Sequence, residues 1–266
     1  MRAVIVGPGV MGETLGGAFR RAYPHEELIY LGPVSPRRSE LARRYAAGEA
    51  THPSEIGAVD WLILALKPQK AAQVLPMLRP LLHKETLVLS VMAGITLGHL
   101  RQALAHSKLV RCMPNTPGRI GAGITAWTAQ NLEDEEKATV ERFLEGMGTS
   151  LYVEEEIYVD MATALSGTGP AYVYLFMEAL MDAGVHMGLP RHLAEKLVVE
   201  TLRGAVAYYD KNPRGAAALR HEVTSPGGTT AEAIYHLEKA GFRPALSKAV
   251  WAAYQKALAL RPKVEE

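Results

Sequence analysis

The chain of 266 residues reads as an α/β protein, with a doubly wound, mostly parallel sheet over residues 1–153 and an all-helical domain over residues 154–266. Three observations predict this. Short apolar runs alternate with helix-spaced segments through the first half. A glycine-rich turn joins the first of these runs to the first helix. Beyond about residue 154 the strand pattern stops and only helical spacing remains.

Taken in order, residues 3–6, 28–31, 61–66, 86–91 and 109–113 are short, apolar and followed by turn or helix signals, as buried parallel strands are. Residues 10–21, 36–46, 68–82 and 96–105 lie between them with helical length and spacing. A further strand is expected at 124–129, a helix at 133–145 and a closing strand at 149–153. In the second half, residues 157–165, 171–187, 191–210, 213–222, 230–239 and 244–260 favour helix. Breaks are expected at Ser166-Gly167-Thr168-Gly169-Pro170, at Gly188-Leu189-Pro190 and at residues 225–228. The acidic run Glu133-Asp134-Glu135-Glu136 suits the first turn of a helix, where negative charge meets the positive end of the dipole.

Gly7-Pro8-Gly9-Val10-Met11-Gly12 follows the first strand and opens the first helix. In that setting Gly7 makes the tight turn, Gly9 admits a pyrophosphate and Gly12 lets the helix pack on the sheet, as in a Rossmann-type dinucleotide site. At the end of the second strand an NAD site would carry an Asp or Glu for the ribose 2′-hydroxyl. This chain instead reads Gly32-Pro33-Val34-Ser35-Pro36-Arg37-Arg38, so Ser35, Arg37 and Arg38 are candidates for a 2′-phosphate. NADP is favoured, and NADH remains possible. Two further loops fall at carboxyl ends of strands, where such sheets hold ligands: Ala65-Leu66-Lys67-Pro68 and Met113-Pro114-Asn115-Thr116-Pro117. Cys112 reads as a small buried packing residue.

Residues 223–230, Val-Thr-Ser-Pro-Gly-Gly-Thr-Thr, precede an amphipathic run in the helical half. Two glycines allow close backbone approach, and Thr229 with Glu232 has the spacing of a capping box. An exposed helix N-terminus suits a carboxylate or phosphate, and the hydroxyls of Ser225, Thr229 and Thr230 add donors. Pro-Gly-Gly by itself is also an ordinary turn.

Composition excludes several classes. A formal net charge of +1 gives no reason to expect nucleic acid or an anionic membrane as partner. A single cysteine excludes an intrachain disulfide framework and fits a reducing compartment. With no spanning apolar run and no secretory pattern at the N-terminus, a cytoplasmic protein is expected. The nine histidines lack ligand spacing, so no metal is expected. Tyr235 and Lys239 stand four apart on a helix, as a surface pair does.

Taken together, these segments resemble the pyrroline-5-carboxylate reductase family. The resemblance covers Gly7–Gly12 in its glycine motif, Lys67-Pro68, Met113-Pro114-Asn115-Thr116-Pro117, Ser166-Gly167-Thr168-Gly169-Pro170-Ala171-Tyr172, residues 184–190 and residues 223–230, and runs from the first strand to about Leu260. Thr168 stands where the family often has serine, which keeps the hydroxyl. The resemblance implies reduction of L-1-pyrroline-5-carboxylate to L-proline by NAD(P)H, the last step of proline biosynthesis. It implies a helical domain that dimerises by interleaving helices, with dimers joined into larger rings.

On this reading Gly7, Pro8, Gly9, Val10, Met11, Gly12, Ser35, Arg37, Ala65, Leu66, Lys67, Pro68, Asn115, Pro117 and Ser166 hold the cofactor. Ser225 and the N–H groups of Gly227, Gly228, Thr229 and Thr230 hold the substrate carboxylate. Thr230 points its hydroxyl at the imine nitrogen as the catalytic donor. Two alternatives share the glycine motif. One is a β-hydroxyacid dehydrogenase-like oxidoreductase, which would use a lysine in the helical domain where this chain offers none before Lys196. The other is a non-catalytic NADP-sensing protein, to which the second anion site would be superfluous.

Overall fold

The structure, a computed structural model, describes residues 1–262. Among these, eight strands form one sheet: β1 (Arg2–Val6), β2 (Glu27–Leu31), β3 (Gly48–Ala50), β4 (Trp61–Leu64), β5 (Leu87–Ser90), β6 (Leu109–Met113), β7 (Gly123–Gln130) and β8 (Gly148–Tyr152). Their order is β3-β2-β1-β4-β5-β6-β7-β8, parallel throughout except for the β6–β7 pair. The chain therefore reverses its direction of travel across the sheet between β1 and β4, which opens a crevice at the carboxyl ends of those strands.

Alternate residues of each strand feed two cores. Ala3, Ile5, Trp61 and Ile63 belong to one, and Val4, Val6, Leu62 and Leu64 to the other. Helices α1 (Val10–Ala22), α2 (Pro36–Arg44), α3 (Ala71–Leu78), α4 (Leu97–Leu104) and α5 (Asp134–Glu145) cover them. Leu15 and Phe19 of α1, Leu41 of α2 and Phe143 of α5 join the first core; Leu75 and Leu78 of α3 and Leu100 of α4 join the second. Burial on both faces explains why the strands read as continuous apolar runs.

Two local expectations are corrected, and one strand had no expectation. The helix expected over 68–82 is a 3-10 turn (Pro68–Lys70), α3, and a second 3-10 turn (Arg79–Leu81). Pro76 and Pro80 each remove a backbone donor within this span, while Pro68 stands first in its turn, where no helical bond is lost. The strand expected to reach residue 66 stops at Leu64. The edge strand β3 gave no signal, because three residues with one buried side chain cannot show an alternation.

After β8 the chain is helical: α6 (Ile157–Ala162), a π turn (Thr163–Gly167), α7 (Gly169–His186), α8 (Arg191–Asp210), α9 (Gly215–Glu222), α10 (Thr229–Lys239) and α11 (Phe242–Ala259). The break expected at Ser166–Pro170 is instead a widened turn between α6 and α7. Pro170 falls in the first turn of α7, where its missing N–H costs no helical bond.

The chain divides into two compact units, residues 1–170 with 252–266 and residues 171–251. The first holds the sheet, α6 and the π turn. The second is built from helices, and among its described residues only Gly184 and Ala194 are buried. Val173, Tyr174, Leu175, Phe176, Tyr208, Tyr235 and Trp251 are among the large apolar side chains it leaves exposed. Apolar surface on that scale marks an association face.

Within the first unit, α6 is fastened to β6 by a buried charge. Asp160 is 0% exposed and Arg111 1% exposed. Nη2 of Arg111 donates to Oδ1 of Asp160 at 2.6 Å and Nη1 to Oδ2 at 3.2 Å. Arg261 donates to Oδ2 at 2.7 Å. Asp160→Ala leaves these guanidiniums without their carboxylate, and the expected loss is about 3–5 kcal/mol of unfolding free energy. Urea titration checks this; a loss below about 1 kcal/mol, the range of an exposed pair, would contradict the assigned burial.

Candidate functional site

The glycine loop is shaped by contacts that leave no room for side chains. Gly7 has φ +106° and donates its N–H to Leu31 O at 3.0 Å; a Cβ there would lie 2.7 Å from Ala65 O. A Cβ on Gly12 would overlap the Gly7 carbonyl. The third glycine thus closes the loop on itself first, with Ile5 of the sheet behind it. Gly9 differs: a Cβ there meets nothing within 4 Å. Gly9 also caps α1, and no side chain accepts from the N–H groups of its first turn. The loop therefore presents open space, free donors and the positive end of a 13-residue helix. Pro8 lies against Gly32 at the end of β2, Val10 is exposed, and Met11 turns into the cavity described below.

At the end of β2, Ser35 caps α2 by accepting from Arg38 N–H at 3.2 Å, which leaves its own O–H to donate. Arg38 is corrected as a phosphate candidate. It is buried, and its guanidinium is committed to Glu49 at 2.8 Å, to the Gly32 carbonyl and to Ala50 O at 3.0 Å. Arg37 remains half-exposed and pairs with Glu40 at 2.8 Å and with Glu13. Its hydrogen bond to Glu40 raises the Arg37 pKa above its ordinary value and holds the Glu40 carboxyl below the usual range.

Glu13 itself escaped the sequence reading. Its buried carboxylate gathers Arg37, Arg44 and Arg119. The available signal was a glutamate among apolar positions of α1, since a buried carboxylate requires cations around it.

Above the carboxyl ends of the strands, the loop after β6 and the π turn come together, while the loop after β4 lies against the glycine turn at Gly7. Ala65 donates to Val6 O at 2.9 Å; Leu66 is half-buried, Lys67 is exposed, and Pro68 opens a 3-10 turn. A cavity of about 240 Å³ is lined by Met11, Val91, Met113, Thr116, Thr163 and Thr168, with Pro114, Asn115 and Gly167 completing it. Asn115 works as a strut: its Nδ2 donates to Ser166 O at 3.2 Å and its Oδ1 accepts from Ile124 N–H at 3.1 Å. Pro117 sits in the 3-10 turn Thr116–Ile120. Ser166 Oγ donates back to Ala162 O at 3.0 Å. Cys112 is fully buried, and burial pushes its thiol pKa up, so it is packing and not a nucleophile. Thr168 falls in the Ser166–Gly169 segment expected to wall the nicotinamide, whereas Thr163 was missed because a π turn has no sequence signature of its own, and Val91 because it reads as the end of an apolar strand.

Residues 223–230 belong to the second unit. Gly227 has φ +69°, and Gly228 N–H donates to Ser225 O at 3.1 Å. The expected capping box is not formed. Gly228 is the cap, Thr229 is the first helical residue, and Glu232 reaches forward to His236 at 3.2 Å. No side chain caps α10, so its first N–H groups stay available to an anion. Ser225 and Thr229 are exposed and Thr230 is half-buried. Lys239 Nζ lies 5.7 Å from the Tyr235 ring centroid, a surface pair as its spacing predicts.

Residues 156–260 match the family model described as pyrroline-5-carboxylate reductase dimerisation, and residues 3–142 match that of ketopantoate reductase PanE/ApbA. The pyrroline-5-carboxylate reductase of Synechocystis sp. is 37% identical over 263 residues, 97% of this chain and 98% of the relative. That of Pisum sativum is 35% identical over 250 residues, 93% and 92% of the two chains. The crystal structure of Plasmodium falciparum pyrroline carboxylate reductase with NADP bound superimposes with a TM-score of 0.89 at 32% identity and covers 98% of each chain.

The loop geometry separates two glycines experimentally. Gly9→Ala is expected to leave the urea midpoint near that of the parent while weakening dinucleotide binding by about tenfold or more, since its open space is for the ligand. Gly12→Ala is expected to lower both, because its Cβ displaces the Gly7 carbonyl, at a cost of about 1–3 kcal/mol. Isothermal titration together with urea unfolding reads the split; equal effects from the two variants would contradict it.

Proposed function

Because this chain belongs to the pyrroline-5-carboxylate reductase family, we propose that its two candidate anion sites divide one reaction between them. The reaction is reduction of L-1-pyrroline-5-carboxylate to L-proline, the final step of proline biosynthesis, by an NAD(P)H-dependent oxidoreductase. The dehydrogenase-like and sensor alternatives are not favoured, since the relatives that match over nearly the full length are reductases. The chain self-associates through its helical domain. Assembly of dimers into a ring is part of the proposal, as is residence in the cytoplasm. No helix among the described residues is long and apolar enough to cross a membrane.

The residues present fit a nicotinamide dinucleotide. The observation that carries this is the glycine loop, where open space at Gly9 faces an uncapped helix N-terminus. In the proposal residues 1–153 form the cofactor-binding domain, residues 154–266 bind the substrate, and Ser166 of the latter reaches the cofactor. Gly7, Pro8, Gly9, Val10, Met11 and Gly12 cradle the pyrophosphate. Ser35 and Arg37 meet the 2′-phosphate and favour NADPH, Arg37 exchanging a carboxylate partner for the phosphate. Ala65, Leu66, Lys67 and Pro68 flank the crevice, and Asn115, Pro117 and Ser166 shape the cavity for the nicotinamide ring. When bound, the cofactor supplies the hydride that the chain's own side chains cannot.

At the substrate, Ser225 and the N–H groups of Gly227, Thr229 and Thr230 bind the carboxylate at the positive end of α10, while Gly228, whose N–H is held by Ser225 O, shapes the turn. The Thr230 hydroxyl hydrogen-bonds the ring nitrogen. It accepts from the N–H of the protonated imine, which aims the imine carbon at the hydride, and then donates its O–H to the amine lone pair that forms as the C=N bond becomes single. Positioning supplies most of the acceleration, so no strongly basic side chain is required.

Purified protein is expected to oxidise NADPH in the presence of pyrroline-5-carboxylate, followed by nicotinamide absorbance. Thr230→Ala is expected to lower kcat by roughly 10–1000-fold, the loss typical of one donor to a reacting centre, with NADPH affinity unchanged. Parent-like turnover in the variant would remove Thr230 from this role. Absence of oxidation by the parent with either NADPH or NADH would sink the reductase assignment itself.

A further inference from the structure

We propose that Arg261, beyond the last helix, is a positioning residue for the cofactor cavity and acts through Asp160. The proposal rests on the reading of that cavity as the nicotinamide site. Three walls of the cavity trace back to one carboxylate. Asp160 stands in the second half of α6, three residues before the π turn begins at Thr163. Thr163 Oγ1 donates to Val159 O at 2.9 Å, and Thr163 O in turn accepts from Thr168 N–H at 3.0 Å and Oγ1 at 2.9 Å. Movement of Asp160 is therefore passed into the wall formed by Thr163 and Thr168. Arg111, the main partner of Asp160, lies two residues before Met113, where the opposite wall begins.

The third wall reaches Asp160 through Arg261. Leu260 packs against Gly94, so closely that a Cβ on Gly94 would lie 2.7 Å from the Leu260 backbone. Gly94 follows β5, whose end leads into Val91 of the cavity. The C-terminal segment thus rests on the β5 loop while its arginine holds the aspartate.

The bonding pattern assigns Arg261 a share that Arg111 does not duplicate. Oδ1 of Asp160 has a short bond from Arg111, at 2.6 Å. Oδ2 has a long one from Arg111, at 3.2 Å, and a short one from Arg261, at 2.7 Å. Nη1 of Arg111 also serves Glu156 at 2.9 Å, whose Oε1 accepts from Leu97 N–H at 2.8 Å. Nη1 of Arg111 is thus divided between two carboxylates, so without Arg261 only its long bond holds Oδ2, and the aspartate can tilt about its Oδ1 contact. The buried Nε atoms of Arg111 and Arg261 have no partner in the structure, so no second acceptor holds either guanidinium in place through that atom. Arg261 is 37% exposed, and its removal leaves Asp160 with Arg111, so the fold survives while the walls shift.

The test compares full-length parent, Arg261→Ala and Arg261→Lys in steady-state kinetics with NADPH and pyrroline-5-carboxylate. Circular dichroism reports the folded fraction, and titration reports the NADPH Kd. Arg261→Ala is expected to raise KM for NADPH and lower kcat/KM for NADPH by about tenfold, a small-displacement effect. KM for the imine stays near the parent's, and Arg261→Lys regains most of the loss by returning one cation to Oδ2. Parent-like kinetics in Arg261→Ala would overturn the proposal. So would equal losses in the Ala and Lys variants, or a loss matched by a fall in folded fraction. Should the parent bind NADPH but reduce no imine, the reductase reading fails. The Kd values then decide the proposal: a weakening restored by lysine supports it, and equal Kd values overturn it.

Discussion

A carboxylate removed from water has to be met by cations, and Asp160 is met by two. Its burial is the constraint on which the cavity depends. Arg111 projects from the interior of the sheet and Asp160 from the first helix after it, so pairing them holds α6 against β6. With α6 in place, the π turn stands over the loop that follows β6, and Asn115 completes the junction by bonding Ser166. The pair contributes less to net stability than its short bonds suggest, because desolvation offsets most of the attraction. What it confers is one arrangement of the two walls.

The sheet sets the other half of the site. Reversal between β1 and β4 leaves the ends of those strands free of a covering connection, and the glycine loop fills that opening. There the backbone does the work that side chains do elsewhere. Gly7 and Gly12 let it close tightly, Gly9 keeps space, and the dipole of α1 supplies the charge. The same device recurs at Gly228, where α10 also begins without a side-chain cap. Two candidate anion sites of one design fit the proposed reaction between a phosphate-bearing cofactor and a carboxylate-bearing imine. The helical unit carries the second of them on a framework with almost no core of its own. Its exposed apolar faces explain why a family model for dimerisation matches this part of the chain.

Much of this was legible in the residues, for identifiable reasons. Strands buried on both faces announce themselves as apolar runs, and the glycine motif is legible because its steric demands admit little else. The residues that stayed hidden act over long sequence separations. Glu13 meets Arg119 from more than a hundred positions away, and Arg261 meets Asp160 across a similar span; no local pattern encodes either. The π turn was misread as a break because Gly and Pro punctuate both. Thr229 was misread as a cap because the Thr-to-Glu spacing survives when the helix starts one residue earlier than a cap at Thr229 requires.

In the proposed reaction hydride passes directly from a nicotinamide held in the cavity to the carbon of the imine. A single turnover with NADPH deuterated at the transferable C4 position, with the proline product examined by mass spectrometry and NMR, tests it most directly. The account predicts one deuterium at C5 of proline and none there when the label is supplied as heavy water instead. Deuterium arriving at C5 from solvent, or unlabelled proline formed from labelled cofactor, would contradict it.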